Sequence, residues 1–328
     1  MVREGFALHH RTWNPDALAA ALHTELEALD PSRIILPNHV AHIWPALPGA
    51  GLTPVLFGLL LGVNQTIRPS HRGQNFAALV SKLSGIELDN ETNRWQTADV
   101  VVVSGSDDTL KAVRQQLRPG ATLVGYGHRV SFGLVVDSAA LDLDAIAADL
   151  ATDCVMWHQQ GCFSLRAVVF CGSEHRSREF AGALGNAIEL AEQRLDATHL
   201  DDATLGQRAQ ALGMARFTSP VCGRGLGWVQ PQTTPFQGRQ ISAHVVSLHR
   251  IESLAELEQA VDVPPHQLQG AALAIAATDE RYALASEALL RLGATRVCRP
   301  GELQAPPAGW RHDGRANVLE WLRIGQPP

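Results

Sequence analysis

The sequence has no pair of cysteines in CxxC spacing and no HExxH-type spacing among its 14 histidines. Its five cysteines are an odd number, which argues against a disulfide scaffold and against a structural zinc site. No metal is therefore expected, and the thiols are expected to be reduced, as in cytoplasmic proteins. The net charge of -6 gives a nucleic-acid partner no electrostatic support.

Long hydrophobic runs are missing as well. The most apolar stretch, "GLTPVLFGLLLGV" at residues 51–63, has 13 residues, whereas a membrane-spanning helix needs about 20. It indicates instead a buried helix that starts at Pro54, where proline is tolerated. The N-terminal segment also lacks the apolar core of a signal peptide. We therefore expect no membrane span.

The chain of 328 residues, 45% apolar and 18% charged, has the composition of a globular protein with two lobes. Short β-like runs alternate with helical patterns, as where "DVVVVSGS" is followed by "DDTLKAVRQQL". This alternation predicts a parallel, three-layer α/β fold. The rhythm changes after Asp137, so the predicted domains are residues 1–137 and 138–313, followed by a tail over 314–328.

The segment "WHQQGCFSLRAVVF", residues 157–170, contains the first candidate for chemistry. A predicted helix ends near Trp157, Gly161 frees the backbone, and a strand follows Cys162. A nucleophilic cysteine needs such a connection, because backbone N–H groups can assist the reacting atoms there. Cysteines are also commonly buried and inert, and from these residues alone both interpretations of Cys162 stay open. Cys154, inside a helical pattern, and Cys171, at a strand end, are expected to be structural.

Two further segments suggest a cofactor site. The strand "VVVVSGSDD" runs through Ser104, Gly105 and Ser106 into a helix N-terminus, where free N–H groups can hold phosphate. The alternative is an ordinary turn in which Ser106 caps the helix. Arg68 in "TIRPS" ends a strand at the sheet edge where cofactors bind, and arginine suits a ribose or its 2′-phosphate. A solvated arginine fits the same pattern.

Five segments in order resemble the LuxC-type acyl-CoA reductases, a branch of the aldehyde dehydrogenase superfamily. They are "LLLGVNQTIRPS", "VVVVSGSDDTLKAV", "GYGHRVSFGLVVD", "HQQGCFSLRAVVF" and "GATRVCRPGELQAPPAGWRHDG". The resemblance runs roughly from Arg33 to Ile324. It implies an aldehyde-dehydrogenase-like α/β fold, with a Rossmann-type cofactor domain over residues 1–137, a catalytic domain over 138–313, and Cys162 as the nucleophile.

The resemblance also implies an activity. An acyl thioester, carried on coenzyme A or on acyl carrier protein, would be reduced by NADPH or NADH to the aldehyde through an acyl-Cys162 intermediate. Arg68 and Ser70 would bind the adenosine ribose, with Arg68 favouring NADPH. Ser104, Gly105 and Ser106 would lie at the pyrophosphate, and Glu302 would contact the cofactor ribose or the substrate. These assignments are expectations of the resemblance.

Departures from the family pattern define further expectations. Hydrolytic aldehyde dehydrogenases carry a water-activating glutamate about where this chain has Gly125, so the thioester would be kept for reduction. The resemblance places the oxyanion asparagine on the loop before the buried helix, and this chain has "NHVAHIWPALPG" there. Asn38 is the candidate oxyanion donor beside the N–H of Cys162, although the "WPALP" segment, which has no asparagine, competes as its counterpart. His312 and Asp313 would either order the site or form a turn.

The tail and the rival functions complete the expectations. The segment "NVLEWLRI", residues 317–324, is interpreted as an oligomerisation strand, and a homodimer is expected. One rival function is a cysteine acyltransferase or thioesterase without redox chemistry. The other is a non-catalytic subunit of a reductase complex.

Overall fold

The structure is a computed structural model that describes residues 2–218, 220–223 and 225–326. It divides into two compact units. Unit 1 comprises Met1–Leu8 and Arg129–Pro306, and unit 2 comprises His9–His128 and Pro307–Pro328. The expected borders were residues 137 and 313, so the structural borders lie earlier in the chain at both places.

The helices differ widely in length, and their bounds in chain order are α1 Val2–Thr12, α2 Pro15–Leu26, α3 Leu52–Leu61, α4 Gln74–Ser84, α5 Asp107–Gln116, α6 Leu143–Val155, α7 Glu174–Arg194, α8 Asp202–Thr218, α9 Leu257–Ala260 and α10 Tyr282–Leu292. The strands are short, and their bounds are β1 Ile34–Ile35, β2 His39–Trp44, β3 Asn64–Pro69, β4 Glu87–Leu88, β5 Val100–Ser104, β6 Thr122–Tyr126, β7 Val130–Val136, β8 Leu165–Cys171, β9 Trp228–Gln232, β10 Val245–Ile251, β11 Leu268–Ala274, β12 Arg296–Cys298 and β13 Arg323–Ile324.

The main sheet of unit 2 has the strand order β4-β3-β2-β5-β6, and its pairs are parallel. Successive side chains of a strand point to opposite faces. In β5, Val102 packs in a cluster with Phe57 of α3, whereas Val103 packs with Val113 of α5. Helices therefore cover both faces, and the predicted three-layer α/β fold is confirmed.

The sheet of unit 1 has the strand order β12-β11-β7-β8-β10-β9, again with parallel pairs. On one face, Val169 of β8 belongs to a core cluster with Leu289 of α10. On the other face, the rings of Phe170 and Phe180 of α7 lie 5.4 Å apart. The strand β7 pairs with β8 and β11, which is why the border of unit 1 precedes β7 rather than following it.

Sequence patterns missed one central strand. The segment "HVAHIW" was interpreted as part of the connection before α3, but it forms β2, between β3 and β5. Two histidines interrupt its apolar pattern. His42 is nonetheless buried, because its Nε2 atom is 2.7 Å from Oε1 of Gln65 on β3. A polar pair shared between neighbouring strands is invisible to a pattern based on single-strand hydrophobicity.

Smaller differences occur at the chain ends and at α3. The helix α3 begins at Leu52, two residues before the expected start. Of the expected strand over 317–324, only Arg323 and Ile324 form β13, and they pair antiparallel with β1 of the same chain. The pairing of the tail is thus satisfied inside unit 2.

Gly293 makes the end of α10 a sensitive position. Its φ is +108°, and a Cβ built there would lie 2.5 Å from the carbonyl oxygen of Pro265. Gly85 ends α4 with φ +76° but has open space around it. We expect Gly85→Ala to lower the free energy of unfolding by about 1 kcal/mol and Gly293→Ala by about 2–4 kcal/mol, because the second adds a steric clash to the backbone strain. Urea denaturation of both variants measures the difference, and equal losses would contradict it.

Candidate active site

Cys162 lies in the short connection between α6 and β8, as the sequence predicted. The helix α6 ends at Val155 and is followed by a 3-10 segment, Met156–Gln159. Three consecutive residues of that segment are left-handed, Trp157, His158 and Gln159, with φ of 58°, 52° and 60°. Such conformations cost free energy in residues other than glycine, so other interactions must hold this backbone in place.

The amide of Gln159 supplies one of these interactions. Its Nε2 atom donates to the carbonyl oxygens of Leu165 at 2.6 Å and Val245 at 2.9 Å. Its Oε1 atom accepts from the N–H of Val245 at 3.2 Å. Leu165 begins β8 and Val245 begins β10, and the Gln159 side chain is fully buried. One side chain therefore fastens the connection to the amino ends of two neighbouring strands.

Ser131 holds the other side of the connection. Its hydroxyl donates to the carbonyl oxygen of Cys162 at 2.8 Å and accepts from the N–H of Gly270 at 3.0 Å. Ser131 lies on β7, the opposite neighbour of β8. Within the connection, the Ser164 hydroxyl accepts from the N–H of Gly161 at 3.1 Å. The backbone on both sides of Cys162 is thus fixed by buried hydrogen bonds.

One charged residue that interacts with Cys162 is Arg166, the second residue of β8. The side chain is only 8% exposed. Burial lowers the pKa of Arg166, while its electrostatic attraction to Cys162 acts in the opposite direction. That interaction is mutual, so a guanidinium charge at this position favours the thiolate form of Cys162. Cys162 itself is half-buried and is not in a disulfide.

The other four cysteines have different surroundings. Burial raises the pKa of Cys154 well above its ordinary value, raises those of Cys171 and Cys222, and raises that of Cys298 to about 12. Each therefore favours the protonated, weakly nucleophilic thiol at neutral pH. The expected structural role of Cys154 and Cys171 agrees with their positions inside α6 and at the end of β8.

The predicted cofactor residues meet at one edge of the unit 2 sheet. Arg68 and Ser70 lie at the carboxyl end of β3, and Ser104 ends β5. Because β3 and β5 flank β2 in a parallel sheet, both ends lie at the edge where ligands bind in such folds. Arg68 donates a hydrogen bond to Asn93 and lies over the ring of Trp95, 6.0 Å from its centroid.

Among the described residues, local geometry at this edge includes one unpartnered hydroxyl and one helix N-terminus. The Ser70 hydroxyl is buried and has no hydrogen-bond partner among the described residues. It faces the space that a Cβ at Gly73 would fill, 3.0 Å away. Ser106 caps α5 by accepting from the N–H of Thr109 at 3.2 Å, so the alternative proposed for Ser106 is what its side chain does. The N-terminus of α5 still points to this edge, and its dipole attracts anions.

Asn38 lies elsewhere, and its expected place on the loop before α3 was wrong. It precedes β2, so it is at the amino edge of the sheet, opposite to Ser104. Its N–H donates to the Asp99 carboxylate at 2.7 Å. The six residues of β2 separate Asn38 from the carboxyl edge by about 20 Å. The "WPALP" segment follows β2 and occupies the carboxyl edge, so Asn38 is not proposed further as an oxyanion donor.

The remaining candidates are Glu302 in unit 1 and the pair His312 and Asp313 in unit 2. Glu302 is exposed in unit 1, where its Oε2 atom accepts from the N–H of Arg299 at 3.3 Å. In unit 2, His312 and Asp313 lie in a 3-10 turn in which Asp313 is left-handed. The His312 ring stacks on Tyr126 at the end of β6, with centroids 3.8 Å apart. The turn predicted as one alternative for these two residues is therefore present.

Sequence reasoning missed three residues that organise the connection, namely Gln159, Ser131 and Arg166. Arg166 had a visible signal, since it is the single charge in the apolar run "SLRAVVF". Gln159 and Ser131 had none, because Gln159 bonds to Val245, 86 positions away, and Ser131 bonds to Cys162, 31 positions away. Their roles depend on strand order, which one sequence does not reveal.

The described residues include no cluster of three or more histidine, cysteine or carboxylate side chains able to hold a metal ion. Within the same residues, every helix is too short or too polar to cross a bilayer.

Comparison with known proteins identifies relatives. A model of the family described as "Acyl-CoA reductase (LuxC)" matches residues 87–324. A long-chain acyl-protein thioester reductase of Photorhabdus luminescens is 31% identical over 106 residues, which are 32% of this chain and 21% of that protein. The matched segment thus spans about a fifth of that relative.

Solved structures share the fold. A gamma-glutamyl-gamma-aminobutyraldehyde dehydrogenase of Burkholderia cenocepacia J2315 has a TM-score of 0.67 at 14% identity, over 94% of this chain and 74% of its own. The P. syringae indole-3-acetaldehyde dehydrogenase, solved with NAD+ and IAA, has a TM-score of 0.64 at 15% identity, over 87% and 68%. A bifunctional proline utilization A protein has a TM-score of 0.69 at 13% identity, but this chain covers 37% of it. The aldehyde dehydrogenase fold is therefore shown.

Gln159→Leu tests the anchoring of the connection. The substitution leaves the polar backbone groups of Leu165 and Val245 buried without their partner, so we expect the free energy of unfolding to fall by about 3 kcal/mol. Gln160→Leu is the matched control, because Gln160 is exposed and its substitution should change stability by less than about 0.5 kcal/mol. Denaturation in urea measures both, and equal losses would show that the Gln159 amide is not an anchor.

Proposed function

This chain belongs to the LuxC family of acyl-CoA reductases, and we propose that it reduces an acyl thioester to the aldehyde through an acyl group carried on Cys162. The name of the Photorhabdus luminescens relative supports an acyl thioester as the substrate. The NAD+ bound to the P. syringae dehydrogenase supports a nicotinamide cofactor.

One observation carries the proposal. Cys162 is half-buried in the connection before β8 and interacts electrostatically with the buried guanidinium of Arg166. Burial instead raises the pKa of the four other thiols. It also lies in a connection whose backbone is fixed on both sides by Gln159 and Ser131. A fixed thiolate is what nucleophilic acyl transfer requires.

The first half-reaction forms the acyl enzyme. The Cys162 sulfur attacks the carbonyl carbon of the thioester and forms a C–S bond, and the bond to the carrier sulfur breaks. The carrier leaves as a thiolate and takes up the proton that the Cys162 thiol released. The guanidinium of Arg166 favours the attacking thiolate, and the N–H of Cys162 is assigned to the oxyanion of the tetrahedral intermediate.

The second half-reaction releases the aldehyde. A reduced nicotinamide bound at the unit 2 edge would supply a hydride to the acyl carbon. Arg68 and Ser70 at the end of β3 and Ser104, Gly105 and Ser106 at the start of α5 would hold it, with Glu302 as a further contact. Cys162 then leaves from the resulting thiohemiacetal as the thiolate, so the sulfur that formed the C–S bond also breaks it.

Gly125 favours reduction over hydrolysis. It lies inside β6, and a Cβ built there would be 2.7 Å from Cδ2 of Leu110 on α5. A larger residue at this position would require the Leu110 side chain to move. With glycine here, no side chain at this position can activate water. The acyl-Cys162 thioester would then persist until hydride transfer.

NADPH is the proposed cofactor, because the guanidinium of Arg68 suits a 2′-phosphate. The acyl carrier is proposed to be coenzyme A or acyl carrier protein, and a homodimer and a cytoplasmic location remain predictions.

Turnover tests the function directly. We expect the purified protein to oxidise NADPH with acyl-CoAs or acyl carrier proteins and to form aldehyde, and Cys162→Ala to abolish turnover. Cys298→Ala is the matched control and should retain activity, because the Cys298 thiol is held protonated by burial. Cofactor oxidation is followed by absorbance and the aldehyde by mass spectrometry.

Two results would contradict the proposal. Turnover that survives Cys162→Ala would remove the nucleophile. An acyl-Cys162 adduct in the intact mass, without any oxidation of NADPH or NADH, would establish a cysteine acyltransferase instead of a reductase.

Arg68→Gln tests the cofactor preference. Loss of a charge-assisted contact to the 2′-phosphate should lower kcat/KM for NADPH by about 10-fold to 100-fold and leave NADH nearly unaffected. Arg72→Gln is the matched control, since Arg72 is an exposed arginine four residues away. Steady-state kinetics with both cofactors measure this, and an equal fall for NADPH and NADH would exclude recognition of the phosphate by Arg68.

A further inference from the structure

A second strained backbone lies beside the Cys162 connection. His244, just before β10, is left-handed with φ 59°, like residues 157–159. Its ring is nearly parallel to that of His158, with an interplanar angle of 12° and centroids 5.5 Å apart. The His158 Nδ1 and His244 Nε2 atoms are 3.4 Å apart. The two unusual segments therefore contact each other through their side chains.

Glu192 on α7 fixes the orientation of this pair. Its Oε1 atom is 2.7 Å from Nδ1 of the fully buried His244. An ionised carboxylate accepts hydrogen bonds, so it pairs with an N–H at Nδ1 of His244. The N–H of Leu226 donates to the other Glu192 oxygen at 3.1 Å, and Arg208 lies 3.9 Å from the carboxylate. Glu192 thus contacts one nitrogen of the His244 ring, and His158 contacts the other.

The backbone links the Glu192–His244–His158 contacts to Cys162. His158 is the residue before Gln159, whose amide binds the first residue after His244. Ring contact and amide contact together clamp the left-handed turn to the start of β10. Cys162 follows His158 by four residues, and its carbonyl is held on the opposite side by Ser131. Burial lowers the pKa of His158, which keeps its ring neutral and able to pair with His244 near neutral pH.

We propose that Glu192, His244 and His158 are positioning residues for Cys162, which hold the left-handed turn so that the thiol is placed for acyl transfer. The role in acyl transfer rests on the proposed function. The placement of the thiol does not, because it is a property of the connection itself. A buried polar chain of this kind is costly unless it is fully paired, which argues against an incidental arrangement.

Alkylation of Cys162 by iodoacetamide tests the placement without acyl thioester or cofactor. We expect His158→Leu and Glu192→Gln to slow the alkylation of Cys162, measured by peptide mass mapping, by about 10-fold, because a displaced thiol loses part of its electrostatic interaction with Arg166 and with it part of its thiolate form. His158→Gln keeps a side-chain N–H that can donate to His244, and it should recover a large part of the rate.

His249→Gln is the matched control. His249 is also buried on β10, with Nδ1 2.8 Å from the Thr234 carbonyl and Nε2 2.9 Å from the Ser247 hydroxyl, but it lies near the carboxyl end of the strand. We expect its substitution to lower the Tm as the test variants do while leaving the alkylation rate of Cys162 within about twofold, since a remote stability loss does not move the nucleophile.

The outcomes separate the hypotheses. Wild-type alkylation rates in both His158→Leu and Glu192→Gln would overturn the positioning role. Equal slowing in His249→Gln would assign the effect to general stability and would also overturn it. Should His158→Leu fail to fold, Glu192→Gln decides, because the amide retains the size and shape of the carboxylate. A chain that shows the expected alkylation pattern but no turnover with any thioester would refute the proposed function alone.

Discussion

The connection between α6 and β8, which contains Cys162, has a backbone conformation that is unfavourable by itself. Three successive left-handed residues, none of them glycine, turn the chain from α6 toward β8. Without further interactions, such a turn would adopt a more favourable backbone conformation. The Cys162 thiol, four residues after the central residue His158, would then lose its defined position. The buried Gln159 amide prevents this by bonding to the amino ends of β8 and β10. The position of Cys162 is thus set by the sheet rather than by its own loop.

The candidate residues lie at the carboxyl edge of the sheet in unit 2 and at the amino edge of the sheet in unit 1. In unit 2, the cofactor candidates follow strands and lie at the carboxyl edge, which is usual for parallel sheets. In unit 1, Cys162 precedes β8 and lies at the amino edge of the sheet. Ser131, the second residue of β7, and Val245, the first residue of β10, lie at the same edge. The first N–H and C=O groups of these strands can form hydrogen bonds with a loop at this edge, and the Gln159 side chain forms such bonds.

The electrostatics of the cysteines follow from the same packing. Burial in the core disfavours the thiolate form of Cys154 and Cys298, although arginine charges near both act in the opposite direction. Cys162 is only half-buried, and it interacts electrostatically with the buried Arg166.

The sequence by itself determined the parallel α/β class, most of the helices and strands, and Cys162 in a helix-to-strand connection. It could do so because hydrophobic periodicity and glycine placement are local properties. Only the tertiary structure decided that "HVAHIW" is a central strand, since His42 is buried through a partner on β3. It also placed Asn38 at the amino edge of the unit 2 sheet, opposite to Ser104, because Asn38 precedes β2. It further brought Ser131 and the Glu192–His244–His158 chain to the connection that contains Cys162. These contacts join residues 31 to 86 positions apart, and their existence depends on strand order.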